Sequence, residues 1–190
     1  MKKIIAPLLA GLCLACGNDP IPKPKAYLRL EYPEANYKTV NSALPFTFEK
    51  NELSNAITNI KVDERNQSYG IDIKYPSLKG TIYLTYKKVD DKNLIPLITD
   101  AQNITQKHTI KADGIEGDLY ENPKHKVFGM FYEVDGNAAS QAQFYATDSV
   151  NHFLNGALYF YAKPNFDSIY PAAEYLKKDI KHIMETLKWK

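Results

Sequence analysis

The chain has 190 residues, with 24 Lys and Arg against 22 Asp and Glu, and 44% of its side chains are apolar. So even a balance excludes the strongly basic face that nucleic-acid binding uses, and the length suits one domain with a substantial core. Two cysteines, Cys13 and Cys16, lie at the start of the chain, which excludes a disulfide framework or a thiolate metal site in its body.

In chain order, Lys2 and Lys3 precede eleven apolar residues, Ile4 to Leu14, and Ala15 supplies a small residue before Cys16. A secretory signal has an apolar run of about 7–15 residues, whereas a membrane-spanning helix needs about 20. The pattern predicts a lipoprotein signal over 1–15, cleavage before Cys16, and lipid on the Cys16 sulfur. Processing removes two of the 24 basic residues and leaves 22 of each sign. Burying acyl chains contributes about 0.8 kcal/mol per CH₂, so several chains hold a protein firmly. The expected location is the cell envelope, at a membrane and facing the periplasm.

Residues 16–26 read as the lipidated cysteine and a tether, with Pro20, Pro22 and Pro24 favouring an extended run. At about 3.1 Å per residue, such a tether reaches roughly 30 Å. A single domain is expected over 27–190. Alternation predicts a strand over Tyr27–Tyr32, and Phe46 and Phe48 mark a short one. Tyr69 to Tyr75 and Ile82 to Tyr86 predict a hairpin joined by Pro76 to Gly80. Asn93 is placed to cap a helix through Leu94, Leu97, Ile98, Ala101 and Ile104, ending near His108. Lys111 to Tyr120 reads as extended and breaks at Asn122-Pro123. Val127 to Val134 and Ala139 to Ala146 predict a second hairpin across Asp135-Gly136-Asn137. Phe153 to Ala162 is a long aromatic strand. Ile169, Ala172, Leu176, Ile180, Ile183 and Leu187 mark the last helix, with Pro171 in its first turn. The fold class predicted is α+β, a mostly antiparallel sheet with one face covered by helices. The element order is similar to the PsbP/Mog1 type of α/β/α sandwich.

Hydrolase ingredients are present in Ser140, Ser149, His108, His152, Asp113 and Asp148. Neither serine sits in a Gly-x-Ser-x-Gly turn, so Asp148, Ser149 and Asn151 read as turn chemistry between strands. His108, His125, His152 and His182 are scattered, and no cofactor, metal or phosphate loop is predicted. Lys177, Lys178, Lys181 and His182 read as a solvated helix face. Tyr159, Phe160 and Tyr161 alternate about their strand, which suggests burial on both sides.

Several blocks carry a resemblance in their joint order. They are Pro22-Lys-Pro-Lys-Ala-Tyr-Leu-Arg29, Tyr75-Pro-Ser-Leu-Lys-Gly-Thr-Ile-Tyr83, Lys111-Ala-Asp113, Gly136-Asn-Ala-Ala-Ser140 and Gln143-Phe-Tyr-Ala-Thr-Asp-Ser149. His152-Phe153, Gly156-Ala-Leu-Tyr-Phe160 and Pro164-Asn-Phe-Asp-Ser168 complete them. The chain resembles the gliding-motility lipoprotein GldD family of Bacteroidetes. The resemblance implies an envelope component of gliding and of the linked type IX secretion pathway, with other proteins of that machinery as partners and no reaction. It also implies O-glycosylation at Ser149 and Ser168, each in an Asp-Ser-aliphatic triplet; a turn and a helix cap are the competing readings. The expected contact residues are Tyr27 and Arg29 beside the tether, and Gly136, Asn137 and Ser140 in the second hairpin. An envelope hydrolase or a small-ligand binding protein is the alternative.

Overall fold

The computed structural model describes residues 30–57, 60–65, 67–161 and 165–190. The predicted signal, Cys16, the tether, Tyr27 and Arg29 lie outside the described residues. Leu30 to Asn36 has no regular structure, so the strand expected through Tyr32 is absent from its described part.

Seven strands form one antiparallel sheet: β4 (Ile60–Asp63), β5 (Ser68–Tyr75), β6 (Gly80–Lys88), β7 (Ala112–Asn122), β8 (Val127–Gly136), β9 (Ser140–Thr147) and β10 (His152–Phe160). Their spatial order is β4-β5-β6-β10-β9-β8-β7. The β5–β6 and β7–β8 hairpins use the same device. A Pro opens a single 3₁₀ turn, Pro76–Leu78 or Pro123–His125, and a left-handed lysine closes it, Lys79 at φ 51° or Lys126 at φ 53°. Proline suits such a start because it fixes φ and gives up an N–H that needs no partner there.

Two helices cover opposite faces of this sheet, which corrects the expectation of one covered face. Strand alternation divides the apolar side chains between the faces. Ile73, Ile82, Leu154, Phe144 and Phe131 pack with Leu176, Ile180, Ile183 and Met184 of α2 (Phe166–Glu185) in the main core. Phe153, Tyr145 and Tyr132 point the other way and pack with Leu97 and Ala101 of α1 (Leu94–Gln106) in a smaller core. Hairpin patterns encode alternation within a strand and leave open which helix lands on which side.

The α2 helix starts earlier than its apolar stripe suggests. Asn137 Oδ1 accepts the Phe166 N–H at 2.9 Å, and Ser168 Oγ donates to the Asn165 carbonyl at 2.9 Å. Pro171 therefore sits inside the helix, past its first turn. Asn93 precedes α1 without capping it by side chain; its Oδ1 accepts the Asp90 N–H instead.

Four short strands sit outside the sheet's span. β1 (Tyr37–Thr39) pairs with β3 (Glu49–Asn51), and β2 (Phe46–Thr47) pairs with β11 (Lys188–Trp189). They bring Leu44, Phe46 and Phe48, all nearly inaccessible, over the open edge of the main core. A buried polar clamp holds β1 and β3 to α2. Asp179, 2% exposed, accepts Tyr37 Oη–H at 2.7 Å and Asn51 Nδ2–H at 3.0 Å. Asn51 Nδ2 also donates to Tyr175 Oη at 2.9 Å, and the Tyr37 ring stacks on His182 at 3.6 Å. Burial raises the Asp179 carboxyl above its usual range, outweighing donation by Tyr37 and Asn51.

Candidate binding surface

The α1 helix covers only part of its face. Leu97, Ala101 and Thr105 are its buried positions. Thr105 Oγ1 donates to Gln143 Oε1 at 2.8 Å, and Gln143 Nε2 lies 2.7 Å from His108 Nε2, which fastens the helix end to β9. Burial lowers the His108 pKa, so a neutral imidazole accepts from the Gln143 amide. Beyond the helix, β5, β6 and β10 expose Lys74, Thr85 and Lys87 among partly buried Asp72, Tyr83, Asn155 and Tyr159. The register places them together: Asp72 opposes Tyr83, and Tyr83 opposes Ala157.

Three tyrosines gather on this open face. Tyr83 Oη and Tyr161 Oη share a hydrogen bond at 3.1 Å, and the Tyr83 and Tyr159 rings meet edge to face at 5.9 Å. Tyr161 is 67% exposed, which corrects the expectation that this run is buried on both sides. The strand's alternation is as expected, but among the described residues no layer covers one of its faces at this end. Beside the tyrosines lies a groove of about 250 Å³, floored by Ala157, Phe153 and Leu97 and edged by Ile104, Lys87 and Asp100. Aromatic rings with polar tips give contact area at small entropic cost, the composition of protein-binding surfaces.

Ser140, Ser149, Asp148 and His152, the residues of the alternative hydrolase reading, do not assemble. Ser140 is fully buried at the start of β9 and donates to the Ala142 carbonyl. His152 lies past the other end of that eight-residue strand, about 24 Å away at roughly 3.4 Å per residue. Asp148 Oδ1 accepts the N–H groups of Val150, Asn151 and His152 at 2.8–3.0 Å. Burial works to raise its carboxyl, but these donors hold it below the ordinary value. Ser149 is exposed in the turn, at φ 66°, and its N–H goes to Thr147 Oγ1. His152 Nδ1 bonds Tyr86 Oη at 2.9 Å, and its ring stacks on Trp189 at 5.0 Å. Burial lowers the His152 pKa despite the nearby Asp148 carboxylate. These three residues therefore build a turn and a packed corner. A cavity of about 420 Å³ opens beside that corner, lined by Tyr69, Tyr86, His152 and Lys88. Among the described residues, no three His, Cys, Asp or Glu side chains converge on a common point.

In the second hairpin, Gly136 (φ 92°) and Ser140 are buried, and Asn137 is exposed with its side chain capping α2. A side chain at Gly136 would meet the Asp113 backbone N at 2.6 Å, so the turn requires glycine. Lys177 is 6% exposed, not solvated as expected. Its Nζ meets Glu174 at 3.0 Å, Asp135 at 3.1 Å and Glu133 at 3.4 Å. Burial opposes its charge, but the Glu174 and Asp135 carboxylates raise its pKa overall. Ser168 is exposed on the first turn of α2.

The fold and the surface define a class: an α+β sandwich domain with an aromatic face on its sheet. Over the whole sequence, the family model described as gliding motility lipoprotein GldD matches residues 17–189, and the chain belongs to that family. No curated protein and no solved structure matches it. Membership makes the protein a lipoprotein anchored at the cell envelope. No described helix is long and apolar enough to cross a membrane.

Proposed function

We propose that the protein works as a lipid-anchored binding component of the gliding machinery and of the linked type IX secretion pathway, acting by protein contact and catalysing no reaction. The observation that carries this reading is the uncovered tyrosine face of the sheet, Tyr83, Tyr159 and Tyr161, beside the α1 groove. The anchor is lipid on Cys16, after removal of residues 1–15, and the domain faces the periplasm of a member of the Bacteroidetes. A tether of about 30 Å restricts it to partners held at or near the same membrane. Tyr27 and Arg29 flank that tether and add to the contact. Of the second-hairpin residues, exposed Asn137 supplies contact, while Gly136 and Ser140 shape the turn. Ser149 and Ser168 are both exposed, as O-glycosylation sites must be.

The 420 Å³ cavity beside His152 favours a second reading, capture of a small ligand. Three variants separate the readings. Tyr159→Ala with Tyr161→Ala is expected to impair gliding and secretion at normal protein level, whereas Ser149→Ala and His152→Gln are expected to leave both as in the wild type. Loss of activity from His152→Gln at normal protein level, with the tyrosine variant unaffected, would reverse the assignment.

A further inference from the structure

The two edges of the large sheet differ. The β4 edge has four residues, whereas β7 has eleven and, among the described residues, pairs on one side only, with β8. None of the eleven β7 residues is buried. Such an edge presents a row of N–H and C=O groups over about 36 Å at roughly 3.3 Å per residue. Its ends are defined: a register shift at Ala112/Gly114 and the Pro123 turn. The strand carries Asp113, Glu116, Asp118 and Glu121 and no Lys or Arg. None of these four carboxylates forms a salt bridge among the described residues. Leu119 adds an apolar side chain at 70% exposure.

We propose that β7 docks an extended, basic segment of a partner protein, which joins the sheet as an eighth strand. Main-chain hydrogen bonds to the open edge supply the affinity, and alternate side chains supply the selectivity. Glu116 and Asp118 stand on one face by alternation, so Lys or Arg at every second partner position meets them. An apolar residue on the opposite face covers Leu119. A second copy of this chain is a poor occupant, because β7 against β7 sets carboxylates against carboxylates.

The test uses a blocked nine-residue peptide alternating Lys with Val or Thr, and two controls. One replaces Lys by Glu; the other keeps every Lys but places Pro at the fourth and sixth positions, in place of Val or Thr, which prevents strand pairing. Fluorescence anisotropy measures binding to the full chain, and hydrogen exchange locates it. The Lys peptide is expected to bind and to slow exchange within residues 112–122. The Pro control and the Glu116→Lys, Asp118→Lys variant are each expected to bind at least about tenfold more weakly. If the charge-reversed variant unfolds, Glu116→Gln with Asp118→Asn gives the same comparison. No binding, equal binding of the Lys and Pro peptides, or protection confined to other strands overturns the proposal. It stands apart from the tyrosine face, so either surface can fail its test while the other passes.

Discussion

Gly156→Ala is expected to destabilise the domain by about 3 kcal/mol. Gly156 of β10 lies directly opposite Phe144 of β9. The fully buried Phe144 ring occupies the space where a side chain at 156 would stand, and a Cβ there would lie 2.7 Å from Cδ1 and 2.8 Å from Cζ. Both strands are central, with pairing on each side, so backbone movement to relieve the clash would disturb four strands. Denaturant unfolding should show the loss as a lower midpoint with an unchanged slope. Phe144→Leu shortens the intruding ring, so the double variant should lose less than the two single losses added together. Strict additivity would show that Phe144 is not what excludes a side chain at 156.

Asp179→Ala is expected to cost about 2–4 kcal/mol, because Tyr37 Oη and Asn51 Nδ2 lose a buried acceptor together. The β1–β3 ribbon, the first regular structure among the described residues, should loosen first, visible as faster hydrogen exchange of residues 37–51. Asp179→Asn keeps an acceptor and should retain the ribbon. Its pH dependence differs from that of the wild type in a defined direction. The folded carboxyl has a raised pKa, so the folded state holds its proton more tightly than the unfolded chain does. That contribution is fully present below about 3.8 and is lost as pH rises through the raised folded value. Asparagine has no such proton, so the stability of Asp179→Asn relative to wild type should improve from pH 4 to pH 7. Parallel stability profiles would contradict the raised carboxyl.

The hairpins were legible because Tyr69 to Tyr75 and Val127 to Val134 alternate cleanly and end at proline or glycine. The short strands β1, β4 and β11 were not, because two to four residues carry no period. Ile180 and Leu176 announced the buried side of α2, but Asp179 and Lys177, each adjacent to one of them, looked like ordinary surface charges. Only the third dimension supplies Tyr37 and Asn51 to one and three carboxylates to the other. The binding face was hidden for a related reason. Tyr159 and Tyr161 read the same under a helix or in solvent, and where α1 ends depends on contacts such as Thr105 to Gln143. Ile104, 42% exposed and in helical register with Ala101, gave the one sequence signal, an apolar residue wider than the stripe needs.

The tyrosine face is proposed to engage an envelope protein. A photo-crosslinking phenylalanine derivative at position 161 tests it most directly when placed in the lipidated protein in native cells. The same group at position 178, exposed on α2 across the sheet, is the comparison. A discrete crosslinked envelope protein is expected from position 161, lost when Tyr159→Ala is added, and none of that size from position 178. The same product from both positions, or no product from 161 in functional cells, would contradict it.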